Sequence, residues 1–342
     1  MSQTYLIIGG AGFIGSNSAA YFLQKGHNVI IFDNFSRNGA EDNEEWLKSL
    51  GAGENLKVVR GDITINEGKD LEPFIKRVDY VLHLAAQVAV TTSVVDPQTD
   101  FLTNALGTFN VLEMIRKSKN HPSLIYSSTN KVYGGLEDLQ VREGERRYEF
   151  VDSRGVPESQ LLDFHSPYGC SKGAADQYVR DYSRIYNLKT VVCRQSCIFG
   201  PRQFGIEDQG WVAWFIIATV LSKDITIYGN GKQVRDLLYV EDLVKLFDML
   251  FQQIESISGS IFNIGGGFEN SLSLLEFLDI LSEKAGRKVE YKTDSIRPGD
   301  QPIYISDISL VKERVGWQPS TTVNEGIEYL WRWVNKNKSL FC

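Results

Sequence analysis

Thr4-Tyr5-Leu6-Ile7-Ile8-Gly9-Gly10-Ala11-Gly12-Phe13-Ile14-Gly15 passes from five residues of strand character, through a glycine-spaced turn, into a helical pattern. The apolar run 4–8 has the length of a buried strand, and Ser16-Asn17-Ser18-Ala19-Ala20-Tyr21-Phe22-Leu23 continues as an amphipathic helix. Gly9, Gly12 and Gly15 fall at the turn between them, with Phe13 and Ile14 inside it. Bare backbone there allows a tight turn, close approach of a pyrophosphate and packing of helix on strand, while the helix N-terminus aims partial positive charge at the same spot. The spacing is G-x-x-G-x-x-G in place of G-x-G-x-x-G, so the strand-turn-helix context carries the reading of a dinucleotide-binding loop.

The next strand, Asn28-Val29-Ile30-Ile31-Phe32, ends at Asp33. A carboxylate roughly 20 residues beyond such a loop takes the adenosine ribose hydroxyls and repels a 2′-phosphate. NAD is therefore expected over NADP. Asn34, Ser36 and Arg37 follow in the same polar loop and join the expected cofactor contacts; Arg37 is the residue that would welcome the extra phosphate of NADP. Further strands are expected near 57–60, 79–84, 123–127 and 189–194, with helical patterns between them. That alternation predicts a parallel, doubly wound α/β sheet of Rossmann type over residues 1–195. Beyond residue 196 the pattern is mixed, with helices over Trp211–Leu221 and Ser273–Glu283 and short strands near Thr226–Tyr228 and Ile261–Ile264. Residues 196–342 are expected to form mainly a smaller substrate-binding lobe, interleaved with the first, with the substrate in a cleft between them.

Tyr168-Gly169-Cys170-Ser171-Lys172 adds chemistry. Residues four apart on a helix share a face, so the phenol and the ammonium act on one small volume. Working as a phenolate near neutral pH asks a tyrosine to drop about 3 units from its usual value, and one neighbouring cation supplies about 1 to 3. Lysine alone barely suffices; the positive nicotinamide ring of an oxidised cofactor closes the gap.

The ordered matches along the chain resemble an extended short-chain dehydrogenase/reductase of the nucleotide-sugar branch. They are the glycine loop, Asp33-Asn34, Gly61-Asp62-Ile63, His83-Leu84-Ala85-Ala86, Ser127-Ser128-Thr129-Asn130-Lys131-Val132-Tyr133-Gly134, Tyr168 to Lys172, Phe199-Gly200-Pro201-Arg202, Arg235-Asp236 and Arg297-Pro298-Gly299-Asp300. The resemblance implies that Asp62 and Ile63 lie along the adenine. It places Leu84, Ala85 and Ala86 beside the pyrophosphate and nicotinamide ribose, and it makes Thr129, Tyr168 and Lys172 the catalytic trio. It further implies that helices near 99–118 and 168–186 build a homo-oligomer, a dimer or a tetramer.

Composition agrees. The chain has 342 residues, 42% of them hydrophobic, enough for a large core. Its net charge of −7 and lack of a basic cluster make nucleic acid an unexpected partner. No apolar run approaches the roughly 20 residues that span a bilayer. Met1-Ser2-Gln3 leads straight into the first strand, so no leader is expected. Cys170, Cys193, Cys197 and Cys342 have no metal spacing, no metal site is expected, and such a small number of thiols suits a reducing cytoplasm.

A nucleoside diphosphate sugar brings a pyrophosphate, which arginines bind with paired donors. Arg202, Arg235 and Arg297, each beside glycine, proline or aspartate, are the expected contacts. Gln87, just past the Leu84-Ala85-Ala86 strand end, and Thr129 are the expected contacts to the sugar. Tyr239 and Asp242 are read as structural, the latter capping the next helix. In the family resembled, dehydratases carry an Asp-Glu pair directly after the threonine; here Asn130-Lys131 stands there, which disfavours elimination of water. NAD rather than NADP disfavours simple reduction, and epimerisation remains. The long stretch from Thr129 to Tyr168, with Asp208-Gln209-Gly210-Trp211, is similar to the carbon-2 epimerases of CDP-linked 3,6-dideoxyhexoses within that branch. A UDP-sugar 4-epimerase and a non-catalytic NAD-binding sensor are the alternatives.

Overall fold

The computed structural model describes residues 2–297 and 299–341; Met1, Pro298 of the Arg297–Asp300 motif and Cys342 lie outside the described residues. The chain divides into two compact units, each assembled from three segments. The first comprises 1–131, 166–194 and 244–262, and the second 132–165, 195–243 and 263–342.

The first unit is built on a seven-stranded parallel sheet. In spatial order its strands are Ile261–Ile264, Thr190–Gln195, Ser123–Thr129, Tyr80–His83, Thr4–Ile8, Asn28–Asp33 and Leu56–Arg60. Tyr5 to Ile8 are almost wholly buried, as an apolar run closed on both faces must be. Their register runs Tyr5 to Val29 on one side and Tyr5 to Tyr80 on the other. The strand order reverses at Thr4–Ile8, so the residues after Ile8 and after His83 leave neighbouring strands at the sheet's switch point, where α/β sheets hold ligands. Ile261–Ile264, expected among short strands of the smaller lobe, instead forms the edge of this sheet. Its neighbourhood explains this: the Val192 amide donates to the Ser260 carbonyl at 3.0 Å and the Ser196 amide to that of Ile264 at 2.9 Å.

Helices cover the sheet. Phe13–Gln24 follows the glycine loop, and Ser166–Tyr186 is the longest. Between Tyr80–His83 and Ser123–Thr129 the chain forms helices Val90–Val95 and Pro97–Phe101, a π-helical turn at Leu102–Leu106 and helix Gly107–Lys117. Asp96 starts the second of these by accepting from the Thr99 amide at 3.0 Å.

In the second unit, strand Val234–Tyr239 is central. It pairs in parallel with Cys197–Phe199 and Ile303–Tyr304 and antiparallel with Ser271–Ser273. Helix Trp211–Leu221, apolar nearly all round, packs into a cluster with Phe199, Phe277 and Ile327. Helix Leu274–Ala285 opens with a capping box between Ser273 and Glu276. Asp242 lies in the first turn of helix Val240–Gln252, and its carboxylate accepts from the Ser320 and Thr321 amides, tying down the segment that leads to the last long helix.

Candidate active site

The glycine loop is crowded. Gly9 has φ +83°, and a Cβ there would stand 2.7 Å from the Ala85 nitrogen; a Cβ on Gly15 would run into the Gly9 carbonyl oxygen. Loop and Ala85 are thus packed backbone to backbone, which only glycine permits. Gly12 precedes helix Phe13–Gln24 without a side-chain cap, so the first helical N–H groups face outward for an anion.

Asp33 closes this cradle. One carboxylate oxygen accepts from the Ala11 amide at 2.9 Å and the other from the Phe35 amide at 2.8 Å. Burial raises its pKa, and backbone N–H groups of Phe35, Ala11, Gly12 and Asn34 oppose the rise. Each oxygen keeps a lone pair for a further donor, such as a ribose hydroxyl. Asn34 donates to Asp62 at 2.9 Å, and the other Asp62 oxygen accepts from the Thr64 amide and hydroxyl. Those bonds outweigh burial and leave Asp62 below its ordinary value. Ile63 is buried, and its carbonyl accepts from Asn110 at 2.9 Å. Ser36 donates its amide to the Asn34 side chain at 3.1 Å. Leu84 and Ala85 both donate to the Ile8 carbonyl, turning the chain out of the sheet toward Ala86.

Thr129, Tyr168 and Lys172 meet within the first unit, all nearly buried. Thr129 ends its strand; its hydroxyl donates to the Asn130 side-chain oxygen at 3.3 Å and accepts from the Lys131 amide at 3.2 Å, and it is near enough to the Tyr168 phenol to oppose the rise of its pKa. The Tyr168 amide donates to Ser93 Oγ at 3.2 Å, which fixes the start of its helix. Lys172 Nζ donates to the Ser127 carbonyl and sits 4.3 Å from the centre of the Tyr126 ring.

From spacing alone, Lys172 barely suffices to hold the phenol down. In the protein by itself the Tyr168 pKa is raised: burial dominates, Asp100 adds to it, and Thr129 and the Arg37 guanidinium oppose it. Burial lowers Lys172 to about 7, against the pull of Asp176 and Asp100. The cation that reaches the phenol is Arg37, solvent-exposed yet within range of both Tyr168 and Asp33. A phenolate at Tyr168 therefore calls for one more positive charge.

Asn43, Asp176 and His83 make buried contacts near these residues that the sequence does not announce, and Gln87 makes a different contact from the one expected. Asn43 braces the glycine loop by donating to the Ala11 carbonyl at 3.0 Å. Asp176 accepts Ser128 at 2.7 Å and a two-pronged Arg194 at 2.9 Å for each contact, binding helix to strand beneath the site. His83 is fully buried and lies far below its usual pKa, at about 3, through burial and Lys172. Thr108 donates to the Asn104 carbonyl, so the His83 Nε2 must donate to Thr108 and the ring stays neutral. Gln87, expected to floor a sugar pocket, folds its carboxamide onto the Ala89 backbone, donating to the carbonyl at 2.8 Å. The first three depend on contacts across tens of residues and leave no local pattern; the fourth is a local turn that strand-end position alone did not reveal.

The three arginines all belong to the second unit. Arg235 is 9% exposed, and donates to Asp300 at 2.6 Å and to the Val234 carbonyl. Arg297 donates to Asp208 at 2.8 Å and stacks 3.9 Å from the centre of the Tyr228 ring. The Asp300 amide donates to the Arg297 carbonyl, so one turn carries both. Arg202 has φ +69°, uncommon outside glycine, and faces the Trp333 ring at 5.8 Å. Asp236, beside Arg235, is buried and accepts from Ser196 and the Gly267 amide, a structural anchor. No cluster of metal-ligating side chains and no helix able to span a membrane occurs among the described residues.

A glycine loop at the switch point of a parallel sheet, with a Tyr-x-x-x-Lys helix behind it, defines the class of the extended short-chain dehydrogenases/reductases. Residues 6–330 match the GDP-mannose 4,6 dehydratase family model, and the chain belongs to that family of epimerases and dehydratases. It is 45% identical to the CDP-paratose 2-epimerase of Salmonella typhi, over 96% of this chain and 98% of that one. Among solved structures, the UDP-glucose 4-epimerase of Thermotoga maritima with UDP-glucose superposes with a TM-score of 0.81 at 29% identity, covering 98% and 99% of the two chains. The dTDP-glucose 4,6-dehydratase of Bacillus anthracis in complex with NAD gives 0.82 at 29% identity, covering 99% of each.

Proposed function

We propose that this protein is an NAD-dependent nucleotide-sugar epimerase that interconverts CDP-paratose and CDP-tyvelose by inversion at carbon 2. The observation that carries the reading is the 45% identity, over nearly the whole of both chains, to a CDP-paratose 2-epimerase. The neutral Asn130, held against Thr129 where a dehydratase of this family has an acid, argues against loss of water. The cradle of Gly9, Gly12, Gly15 and Asp33 fits NAD: glycine at 9 and 15 lets the loop pack backbone to backbone, the uncapped start of helix Phe13–Gln24 leaves N–H groups for a pyrophosphate, and the Asp33 carboxylate repels a 2′-phosphate.

NAD, when bound, supplies a hydride acceptor and then a hydride donor, along with positive charge beside the phenol. The Tyr168 oxygen takes the proton of the sugar hydroxyl and later returns it. Thr129, beside the phenol, orients that hydroxyl, and Lys172 and Arg37 stabilise the phenolate. Arg235 and Arg297 bind the substrate pyrophosphate, exchanging Asp300 and Asp208 for it; Arg202 and Gln87 are weaker candidates for substrate contact. The face formed by helices Gly107–Lys117 and Ser166–Tyr186 joins two copies of the chain.

The test is a proton NMR time course of the purified protein with CDP-paratose and no added cofactor. Appearance of CDP-tyvelose supports the substrate, the carbon and a retained NAD together. Turnover of UDP-glucose to UDP-galactose in its place would favour a 4-epimerase.

A further inference from the structure

Beneath Tyr168 and Lys172 lies a set of buried groups to which the proposed reaction gives no part. Asp100, on the short helix Pro97–Phe101, is completely buried. One of its oxygens accepts the Ser171 hydroxyl at 2.5 Å and the other the Asn104 amide at 3.1 Å. The same Asn104 nitrogen reaches Ser171 Oγ at 3.1 Å and the Gln87 carbonyl at 3.0 Å, while its oxygen accepts the Gln87 amide at 2.9 Å. The two bonds to Gln87 fix which way the Asn104 amide points, so its NH₂ faces residue 100. A carboxylate at position 100 offers an acceptor to both neighbours at once. Asn104 itself sits in the π-helical turn Leu102–Leu106, a local departure from α-geometry of the kind found at functional sites.

We propose that Asp100 is a positioning residue of the redox site: its carboxylate fixes the Ser171 turn that carries Tyr168 and Lys172, and sets a buried negative charge facing the Lys172 ammonium. The proposal rests on the redox reading of the trio. Satisfying Ser171 and Asn104 needs only acceptors; the charge is what reaches the catalytic pair. Asp100 pulls both Tyr168 and Lys172 upward; its own pKa is raised by burial, and the Ser171 hydrogen bond and Lys172 oppose that rise. The other titratable and charged groups facing the pair are Asp176 on the same helix with its partner Arg194, His83 and Tyr126 from neighbouring strands, and Arg37. None of these is a second fixed anion without a bidentate cation of its own.

Removing the Asp100 charge has a signed consequence. Activity rises with pH as Tyr168 loses its proton and falls as Lys172 loses its own. Both limbs of the profile move to lower pH in Asp100→Asn holoenzyme, by about 1 unit. The value of kcat above the optimum falls about tenfold for such a shift, with bound NAD unchanged. Asp100→Glu, which keeps the charge, returns the limbs toward the wild type. Tyrosinate absorbance, taken as a difference against Tyr168→Phe, reads the phenol without any nucleotide sugar, so a wrong substrate assignment does not touch this arm. Loss of activity that is equal at every pH with both limbs in place, or a tyrosinate titration that does not move, overturns the charge role. If Asp100→Asn does not fold, Ser171→Ala keeps the charge and removes the contact: lower kcat with unchanged KM and unmoved limbs is expected, and wild-type kcat overturns the positioning role.

Discussion

Lys172 answers two opposed demands. In the proposed reaction its ammonium serves the Tyr168 phenolate, yet it is buried beside the Tyr126 ring, and burial lowers its pKa from 10.5 to about 7. Below pH 7 the folded protein bears the full penalty of an enclosed ammonium. Between pH 7 and 10.5 the unfolded chain holds this proton and the folded chain does not, so stability rises with pH across that window. Lys172→Met lacks the titration. In urea denaturation of NAD-free protein, the variant is expected to be more stable than the wild type at pH 6, with the gap closing as pH climbs to 10; a gap that stays constant would sink the account. Tyr168→Phe asks the complementary question about the phenol. Loss of a general base lowers rate by about 10² to 10⁴, so kcat on CDP-paratose should fall by that range while the protein keeps its NAD, read by release on denaturation. Near wild-type turnover would move the proton to another group.

Helix Ser166–Tyr186 brings Tyr168 and Lys172 to Thr129 because Asp176, two turns from Tyr168, is clamped to Arg194 on one strand and Ser128 on another. The pair is 3% and 0% exposed. Removing one member of a buried pair strands the other charge, at about 3 to 5 kcal/mol. Asp176→Ala is expected to lose that much in chemical denaturation, and a loss below about 1 kcal/mol, the size of a surface pair, would show the clamp to be dispensable. Such clamps mark where the sequence stops being readable. Strands Thr4–Ile8 and Asn28–Asp33 and helix Trp211–Leu221 lie within a residue of where apolar runs and glycines predict them, because those signals are local. The meeting of Thr129 with Tyr168 also follows from motifs, through family resemblance. Asp100, Asn104, Asp176 and Arg194 had no such signal: an aspartate in a helix reads the same whether it faces water or a serine 71 positions away. The reach of Arg37 to the phenol depends on the fold of a polar loop, and the raised Tyr168 pKa depends on burial, which no spacing rule measures. Ile261–Ile264 was legible as a strand but not as part of the main sheet, since pairing partners are chosen by the whole chain.

At the scale of the whole molecule, the first unit leaves an apolar strip that folding within one chain does not cover. Helix Gly107–Lys117 turns Val111, Leu112 and Ile115 inward and leaves Phe109 partly exposed. Helix Ser166–Tyr186 buries Val179 and Tyr182 yet shows Tyr178, Ile185 and Tyr186, with Ile185 61% exposed. The rings of Phe109, Tyr178, Tyr182 and Tyr186 form one continuous row, with successive centroids 5.9, 6.4 and 4.8 Å apart. Phe109, Tyr178 and Tyr186, the exposed members of this row, forgo about 25 cal/mol for each Å² left wet, and exposed apolar strips of this kind mark interaction surfaces. Two antiparallel copies of this helix pair would bury the row symmetrically, since a two-fold contact brings the same patch to itself. Light scattering should therefore give a mass of twice the 38.6 kDa chain. Phe109→Asp with Tyr178→Asp sets like charges in the middle of that contact and should yield 38.6 kDa monomers that retain NAD, since neither side chain lies in the glycine loop or the trio. A wild-type monomer at micromolar concentration would remove the helix pair as the interface, and a dimer that survives both substitutions would place it on another face.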